Sequence, residues 1–276
     1  MGTMRKSIFV CPICSQLLER DERSCHCSNG HVFDVSKEGY VNLLPANRRH
    51  SDMPGDDRAM VNARTRFLSG GWYAPLRDEL CRQAERTAGE NEILLDAGCG
   101  EGYYTEALCS VMHRCGGTTA GIDLSKAAIK RAAKRCPEAE IAVASIYHMP
   151  LAEQSVRMLV NCFAPLAAEE FYRVLKPGGF FLYIVPGRKH LWEMKEILYD
   201  QPYENEQRDE VYAGFHQTDQ VSLEFQFCLG QQEEIAALFQ MTPYAWKTPK
   251  QGIERLHQCH ELKMTAQFRI LVYEKE

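Results

Sequence analysis

A predicted strand that carries a carboxylate and runs into three closely spaced glycines is the feature that most constrains this fold. Residues 93–97 are apolar except for Asp96, and Gly98, Gly100 and Gly102 follow before a helical pattern begins. Glycine at such positions adopts positive φ and lets the backbone approach a ligand closely. A strand, a tight turn and a helix in this order predict the first β–α unit of a nucleotide-binding α/β domain.

A second acidic residue stands at the end of the next predicted strand. Residues 118–123 end in Asp123, which lies 27 positions after Asp96 (123 − 96), about the length of one helix and one strand. A carboxylate at this place can accept hydrogen bonds from both ribose hydroxyls of an adenosine. NAD and S-adenosylmethionine (SAM) share this requirement, so Asp123 predicts a nucleoside ligand without choosing between them.

Two segments resemble parts of SAM-dependent enzymes and therefore favour SAM over NAD. The G-x-G-x-G spacing after Asp96 resembles motif I of the class I SAM-dependent methyltransferases. The turn at residues 175–179 (LKPGG), followed by an apolar run, resembles the turn that precedes the fifth strand of these enzymes. The expected fold is therefore a Rossmann-like α/β domain with a mostly parallel, seven-stranded sheet that binds SAM, preceded by a small N-terminal zinc-ribbon domain.

The hydrophobic pattern predicts the order of the other elements. Strands are expected near residues 92–97, 118–123, 140–144, 157–163 and 180–185, with a late strand at 267–273. Two helices are expected before the first of these strands, over about 56–68 and 75–86. Residues 200–230 are hard to assign, and the polar residues 203–207 within them suggest an exposed, mobile excursion.

A cluster of cysteines near the N-terminus forms an independent pattern. Cys11 and Cys14 are a C-x₂-C pair, which presents two thiolates from one tight turn and suits half of a tetrahedral zinc site. The other half could be Cys27 with His31 or Cys25 with Cys27. Three intervening residues allow a turn that orients both ligands inward, whereas C-x-C leaves less freedom. The favoured ligand set is Cys11, Cys14, Cys27 and His31. Four protein ligands leave no position for water, so this zinc is expected to be structural.

Between Gly30 and Pro45, two short stretches alternate apolar and polar residues. Residues 31–35 and 39–44 are therefore expected to form short strands beside the metal.

Composition divides the chain into three parts and limits its class. We predict a zinc-binding domain over 1–46, a basic linker and first helix over 47–72, and a SAM-dependent methyltransferase domain over 73–276. The basic residues of the second part are Arg48, Arg49, Arg58, Arg64 and Arg66. No run approaches the ~18 consecutive apolar residues of a spanning helix, and the N-terminus lacks the apolar region of a signal peptide. We therefore expect a cytoplasmic protein without membrane contact, whose twelve cysteines are mostly reduced.

Segments along nearly the whole chain resemble one family. The cysteine pattern and the residues 33–45 that follow it are similar to the N-terminal region of the RlmA-type 23S ribosomal RNA guanine-N1 methyltransferases. Further similar segments are residues 98–105, 163–165, 186–191 and 241–246. The resemblance implies methyl transfer from SAM to N1 of a guanine in a 23S rRNA hairpin, which a homodimer could clasp. One branch of the family is linked to macrolide resistance, and these motifs do not separate the branches.

The resemblance also implies site residues. The family's cofactor contacts fall on Tyr73, Gly100, Glu101 and His190, and its zinc ligands fall on the four residues favoured above. The full set of expected cofactor-binding residues is Tyr73, Asp96, Gly98, Gly100, Glu101, Gly102, Asp123 and His190. The guanine N1 proton must leave during the reaction, but the sequence does not name its acceptor, so the catalytic base is left unassigned. Asn161 is either a positioning residue or a cap of the turn after its strand.

Two alternatives to the rRNA enzyme remain. A SAM-dependent enzyme that acts on a small molecule would keep the same core, with the zinc ribbon purely structural. A non-catalytic zinc-ribbon protein would bind RNA but not SAM, and the intact glycines with Asp96 and Asp123 argue against it. For the rRNA enzyme we expect Arg48, Arg49 and the zinc ribbon to form the RNA-docking face.

Overall fold

The N-terminal segment folds as a small antiparallel sheet. The computed structural model describes residues 4–45, 55–207 and 211–276. The first sheet comprises β1 (Arg5–Val10), β2 (Leu17–Arg20), β3 (Ser24–Cys27) and β4 (Val32–Asp34). They lie in this order and each pair is antiparallel. We call this sheet and its connecting turns the ribbon.

The second sheet is the centre of the molecule. Its strands are β5 (Val41–Asn42), β6 (Ile93–Ala97), β7 (Thr118–Asp123), β8 (Glu140–Val143), β9 (Val156–Cys162), β10 (Leu175–Pro186), β11 (Phe215–Leu229) and β12 (Leu262–Lys275). They lie in the order β11-β12-β10-β9-β6-β7-β8-β5. All pairs from β10 to β5 are parallel, whereas β12 and β11 are antiparallel to their neighbours. The expected fold class is confirmed. The expected strand number is wrong, because β5 leaves the ribbon and adds an eighth strand beside β8.

Helices cover both faces of this sheet. They are α1 (Arg58–Ser69), α2 (Ala74–Glu85), α3 (Tyr103–Arg114), α4 (Lys126–Arg135), α5 (Ala168–Val174), α6 (Trp192–Leu198), α7 (Gln232–Gln240), α8 (Tyr244–Lys247) and α9 (Lys250–His257). The neighbours Leu94 and Leu95 belong to two different buried clusters, as expected for a strand covered on both sides. None of the helices in the described ranges is both long and apolar enough to cross a membrane.

A regular strand occupies about half of residues 200–230, which the sequence pattern leaves unassigned. β11 is a fifteen-residue edge strand that pairs with β12 along its whole length. Val221, Leu223, Phe225 and Phe227 alternate with polar residues and pack against the core on one face. This spacing of two is the strand signal that the polar start of the segment conceals.

The ribbon is attached to the central sheet by buried contacts. The Val10 N–H donates to the Pro150 carbonyl at 2.9 Å, and Ser7 Oγ donates to the buried carboxylate of Glu140 at 2.5 Å. Phe9 is fully buried in the same apolar cluster as Leu151. Of the two strands expected beside the metal, only β4 lies in the ribbon, because β5 pairs with the central sheet. The domain limits at residues 46 and 72 stay a prediction.

Candidate cofactor cleft and metal centre

The structure brings four expected zinc ligands together at one end of the ribbon. All ligand atoms of Cys11, Cys14, Cys27 and His31 lie within 4.8 Å of one another. The Cys14 and Cys27 sulfurs are 3.6 Å apart, and His31 Nδ1 lies 3.5 Å from Cys11 Sγ and 3.4 Å from Cys27 Sγ. A tetrahedral zinc with Zn–S bonds of ~2.3 Å and Zn–N bonds of ~2.0 Å places its ligand atoms roughly 3.5–3.8 Å apart. The donor set and its spacing therefore fit one zinc ion.

The alternative ligand Cys25 lies apart from this cluster. On β3, Cys25 and Cys27 are fully buried or nearly so, and burial raises the pKa of Cys25 to about 11. Cys25 is not among the residues whose ligand atoms converge on one point. The turn after β3 is closed by two backbone bonds, from Cys27 N–H to the His31 carbonyl and from Gly30 N–H to the Cys27 carbonyl. Gly30 has φ of +80°, a value that favours glycine.

The glycine turn lies at the carboxyl end of β6. Gly98, Gly100 and Gly102 all have positive φ. A Cβ on Gly98 would lie 2.4 Å from the Ala164 Cβ, and one on Gly102 would lie 2.9 Å from the Ala132 Cα. Gly100 differs, because its nearest such contact is at 3.8 Å. Two of the glycines are thus required by packing, while the third leaves space beside the backbone that a ligand can occupy.

The two expected carboxylates lie at the ends of neighbouring parallel strands. Asp96 is buried and accepts a hydrogen bond from Thr105 Oγ1 at 2.7 Å, and its burial raises its pKa to about 7. Asp123 accepts from the Gly100 N–H at 3.0 Å and from the Ser125 N–H at 2.7 Å. Burial also raises the pKa of Asp123, while these two N–H bonds lower it. Asp123 thereby holds the glycine turn and keeps lone pairs for ribose hydroxyls.

The strand order makes this edge of the sheet a ligand site. The chain runs outward from β6 through β7 to β8 and then returns to β9 on the other side of β6. Ligands of open α/β sheets bind beyond the carboxyl ends of the strands at such a reversal. The carboxylates, the open Gly100 backbone and this topology fit the adenosine part of SAM.

Tyr73 and His190 meet although 117 residues separate them in the sequence. Tyr73 Oη lies 3.3 Å from His190 Nε2, and His190 Nδ1 accepts the Gln267 N–H at 3.2 Å. Since Nδ1 is an acceptor, Nε2 carries the ring proton and donates to Tyr73. Burial lowers the pKa of His190 to about 3, so its imidazole is neutral. Tyr73 is therefore able to direct its own O–H proton towards a ligand.

Glu101 is engaged by the protein itself. Arg135 Nη1 donates to its Oε1 at 3.0 Å, and Thr65 Oγ1 donates to its Oε2 at 3.4 Å. The carboxylate thereby ties α1 to α4 across the glycine turn, and burial raises its pKa. A cofactor contact by this residue would use its backbone or displace one of these donors, so that role stays a prediction.

Three positions that sequence reasoning missed hold the predicted residues in place. Thr105 orients Asp96, Ser125 orients Asp123, and the Gln267 N–H fixes the tautomer of His190. Ser125 also caps α4, by accepting from the Ala128 N–H at 3.2 Å. A serine two positions after a strand-ending aspartate is a recognisable cap, whereas nothing local in the sequence marks the other two.

Asn161 occupies the end of β9 next to the glycine turn. Its Nδ2 donates to the carbonyls of Ala97 and Pro165, both at 3.1 Å, so it does cap the following turn. Its Oδ1 is buried and has no hydrogen-bond partner in the described part of the chain. A buried acceptor without a partner usually marks a place for a ligand or water, so the positioning hypothesis stays open.

Both the ribbon and the domain that contains the cofactor cleft are similar to known proteins. A family model described as the N-terminal zinc ribbon of RlmA matches residues 9–52, and a methyltransferase-domain model matches residues 95–183. The 23S rRNA (guanine(748)-N(1))-methyltransferase of Streptomyces fradiae is 37% identical over 71% of this chain and 70% of its own. Putative 23S rRNA (guanine-N(1)-)-methyltransferases of Micromonospora griseorubida and Bacillus subtilis are each 32% identical, over 95% and 98% of this chain and 96% and 98% of theirs.

Proposed function

The chain belongs to the RlmA-type family of 23S rRNA (guanine-N1)-methyltransferases, and we propose that it methylates N1 of one guanine in a hairpin of 23S rRNA. The methyl donor is SAM. The observation that carries the proposal is the similarity to relatives of this name over almost the full chain, through the ribbon as well as the methyltransferase domain. The alternative of a small-molecule substrate would leave the shared ribbon without a role in recognition.

In this proposal the glycine turn and its neighbours bind and orient the cofactor. Asp123 would accept hydrogen bonds from the ribose, and the Gly100 backbone would lie against the nucleoside. Tyr73, supported by neutral His190, would donate its O–H to a polar group of the cofactor. When bound, SAM supplies an activated methyl group on a sulfonium, so the main task of the protein is in-line alignment with guanine N1.

The zinc ion would have no part in the chemistry. Cys11, Cys14, Cys27 and His31 would fill a tetrahedral coordination shell, which leaves no position for water or substrate. The metal would instead fix the turns between β1 and β2 and between β3 and β4, and so hold the ribbon surface in shape for RNA. The guanine must leave its stack to expose N1, which costs least in a loop. We still assign no residue as the proton acceptor.

Methyl transfer to RNA tests the proposal. The purified protein is incubated with labelled SAM and unmodified 23S rRNA fragments, and methylated positions are mapped by primer-extension stops. One stop at a hairpin guanine is the expected result, and it would also identify the target position. Tight SAM binding without incorporation into any fragment would contradict the proposal and favour a small-molecule substrate.

The RNA-docking arginines and the homodimer can each be tested separately. Arg48 and Arg49, which we expect at the RNA-docking face, lie outside the described residues. Substituting both with glutamate should weaken RNA binding if they contact phosphates. The homodimer allowed by the family resemblance can be tested by sedimentation with and without RNA. An rRNA substrate also implies action in the cytoplasm.

A further inference from the structure

A groove of about 820 Å³ separates α1 from α4 beside the exit of the ribbon. Its basic lining residues are Arg58, Lys126, Lys130, Arg131 and Lys134. Two acidic residues, Asp56 and Asp57, also line it. The chain as a whole has a formal net charge of −5, so this concentration of cations is a local feature and not a result of composition. We call these five basic residues and the surface between them the basic groove.

Most charges of the basic groove are available to a ligand. Within the described ranges, Arg58, Lys126 and Lys134 are exposed and have no ion-pair partner. The acidic residues are already engaged, because Asp56 pairs with Arg64 and Asp57 caps α1 by accepting from the Met60 N–H. Of the five cations, only Lys130 has an ion-pair partner within the described ranges, Glu38 at 3.3 Å. The groove therefore keeps an excess of positive charge, although Asp57 retains its own negative charge.

The spacing of the cations fits a linear polyanion. Lys126, Lys130 and Lys134 follow one another at intervals of four residues, and all three are exposed on one side of α4. At ~1.5 Å of rise per residue, neighbouring ammonium groups stand about 6 Å apart along the helix. Arg131 adds a guanidinium fixed by Thr65 and Asn62 of α1. Such a row can meet successive phosphates of one strand.

The position of the groove links it to both parts of the predicted site. Tyr40, from the exit of the ribbon, forms one wall, and Ser125, which orients Asp123, forms another. We propose that the basic groove docks the sugar-phosphate backbone of the RNA substrate. The RNA would then be held between the ribbon and the cofactor cleft. This inference rests on the proposed rRNA methyltransferase function, and it specifies the surface of the protein that the RNA backbone contacts.

Replacing two of the lysines tests the docking site. Lys126→Ala with Lys134→Ala should raise the Kd for the 23S rRNA fragment about tenfold or more. The slope of log K against log salt should fall by roughly 0.7–0.9 for each lost phosphate contact. SAM affinity and the rate at saturating RNA should be unchanged. Lys247→Ala with Lys250→Ala is the matched control, because both residues are exposed and lie outside the groove.

The outcomes separate this inference from the proposed function. Lys126→Arg with Lys134→Arg should keep the wild-type affinity, because it preserves the charges, and this result would show that the alanine variant loses affinity through charge. Wild-type methylation of the fragment with the same Kd and salt slope in both double variants would overturn the docking site alone. Absence of methylation by the wild-type protein would overturn the proposed function, and the docking site with it.

A different observation supports a second inference, about Phe163. It has φ of +56°, although it is not a glycine, and the residue is 48% exposed. A bulky residue in the left-handed region is a strained backbone position, and such strain is often kept for function. About half of the residue is exposed, so one side of the ring is open to a ligand.

The ring of Phe163 lies beside the predicted cofactor cleft. Its centroid is 5.5 Å from that of Phe268, which in turn is 4.7 Å from that of His190. The next residue, Ala164, lies directly against Gly98 of the glycine turn. We propose that Phe163 is the stacking platform for the target guanine once it leaves the RNA helix. This also rests on the proposed function.

Paired substitutions separate stacking from strain. Phe163→Ala and Phe163→Gly both remove the ring, but only glycine relieves the positive φ. Both should lower the methylation rate with saturating SAM by about 10- to 100-fold, as expected for one lost base stack, and Phe163→Tyr should keep it. The glycine variant should nevertheless have the higher Tm of the two, and both should bind SAM normally. Wild-type rates in the alanine and glycine variants, with the wild-type protein active, would overturn the platform.

Discussion

The ribbon and the cofactor cleft reach their geometry in different ways. The zinc ligands lie within 20 residues of one another, and their side chains converge without supplying the attraction that would hold them. In the cleft, Tyr73 and His190 are 117 residues apart, yet they already contact each other, and the Gln267 N–H fixes the imidazole. The comparison teaches that the ribbon needs an ion to stabilise a local arrangement, whereas the cleft is stabilised by the topology of the sheet.

The ribbon nevertheless depends on the central sheet as well. Phe9 and Leu18 are fully buried in a cluster that also contains Leu95 and Leu159 of the sheet. A segment of this size cannot form an adequate core alone. The ribbon therefore takes its apolar contacts from the larger domain and its local shape from the metal.

Removal of the metal should have the largest effect. Chelation, or Cys14→Ser, should lower the bound zinc from about one ion per chain to none and destabilise the ribbon by several kcal/mol, since zinc binding and folding are coupled in such modules. Zinc content by atomic emission and thermal unfolding would measure this. Cys25→Ser is the control and should keep its zinc. Equal zinc loss in both variants would contradict the ligand assignment.

The buried carboxylate of Asp96 should make the stability of the cleft depend on pH. Its pKa of about 7 in the folded chain is raised from an ordinary value near 3.8. The folded state therefore binds the proton more tightly, and this stabilisation is complete below pH ~4 and lost as the pH rises through 7. Its size is on the order of a few kcal/mol.

Asp96→Asn isolates this contribution. The variant cannot ionise but can still accept from Thr105, so its free energy of unfolding should lose the decline between pH 4 and 7. Chemical denaturation of both proteins at a series of pH values measures the difference. Parallel pH curves would show that Asp96 does not titrate in this range.

Local spacing explains what could be predicted from the sequence. The C-x₂-C pair, the glycine turn and the two strand-ending aspartates each depend on residues within one turn or one β–α unit. The strands β6, β7 and β9 accordingly lie where they are expected. The strand within residues 200–230 was not predicted because the polar start at Tyr203 conceals the alternating pattern from Val221 onwards.

Long-range pairing explains what could not be predicted. The bonds from Thr105 to Asp96 and from the Gln267 N–H to His190 depend on how helices and strands meet in space. Likewise, no local feature shows that β5 leaves the ribbon to join β8. Tyr73 and His190 entered the expected site only through resemblance to a family, and the structure supplies their physical connection.

Loss of the ribose acceptor should be the next largest effect. Asp123→Asn replaces a charged acceptor with a neutral amide, so we expect SAM affinity to fall by about 10- to 100-fold, or roughly 1.5–3 kcal/mol. Titration calorimetry with SAM measures it. Zinc content should not change, which distinguishes the cleft from the ribbon. Unaltered SAM affinity would remove Asp123 from the cofactor site.

The smallest effect should come from the Tyr73 hydroxyl. Tyr73→Phe leaves the His190 Nε2–H buried without its acceptor, which should cost about 1 kcal/mol of unfolding free energy and lower SAM affinity if the hydroxyl also contacts the cofactor. Tyr103→Phe is a matched control, because the buried Tyr103 Oη has no hydrogen-bond partner in the described ranges. That change should be neutral in stability. Equal unfolding free energies for the two variants would show that the contact between Tyr73 and His190 contributes nothing, and that the cleft is stabilised by its apolar packing alone.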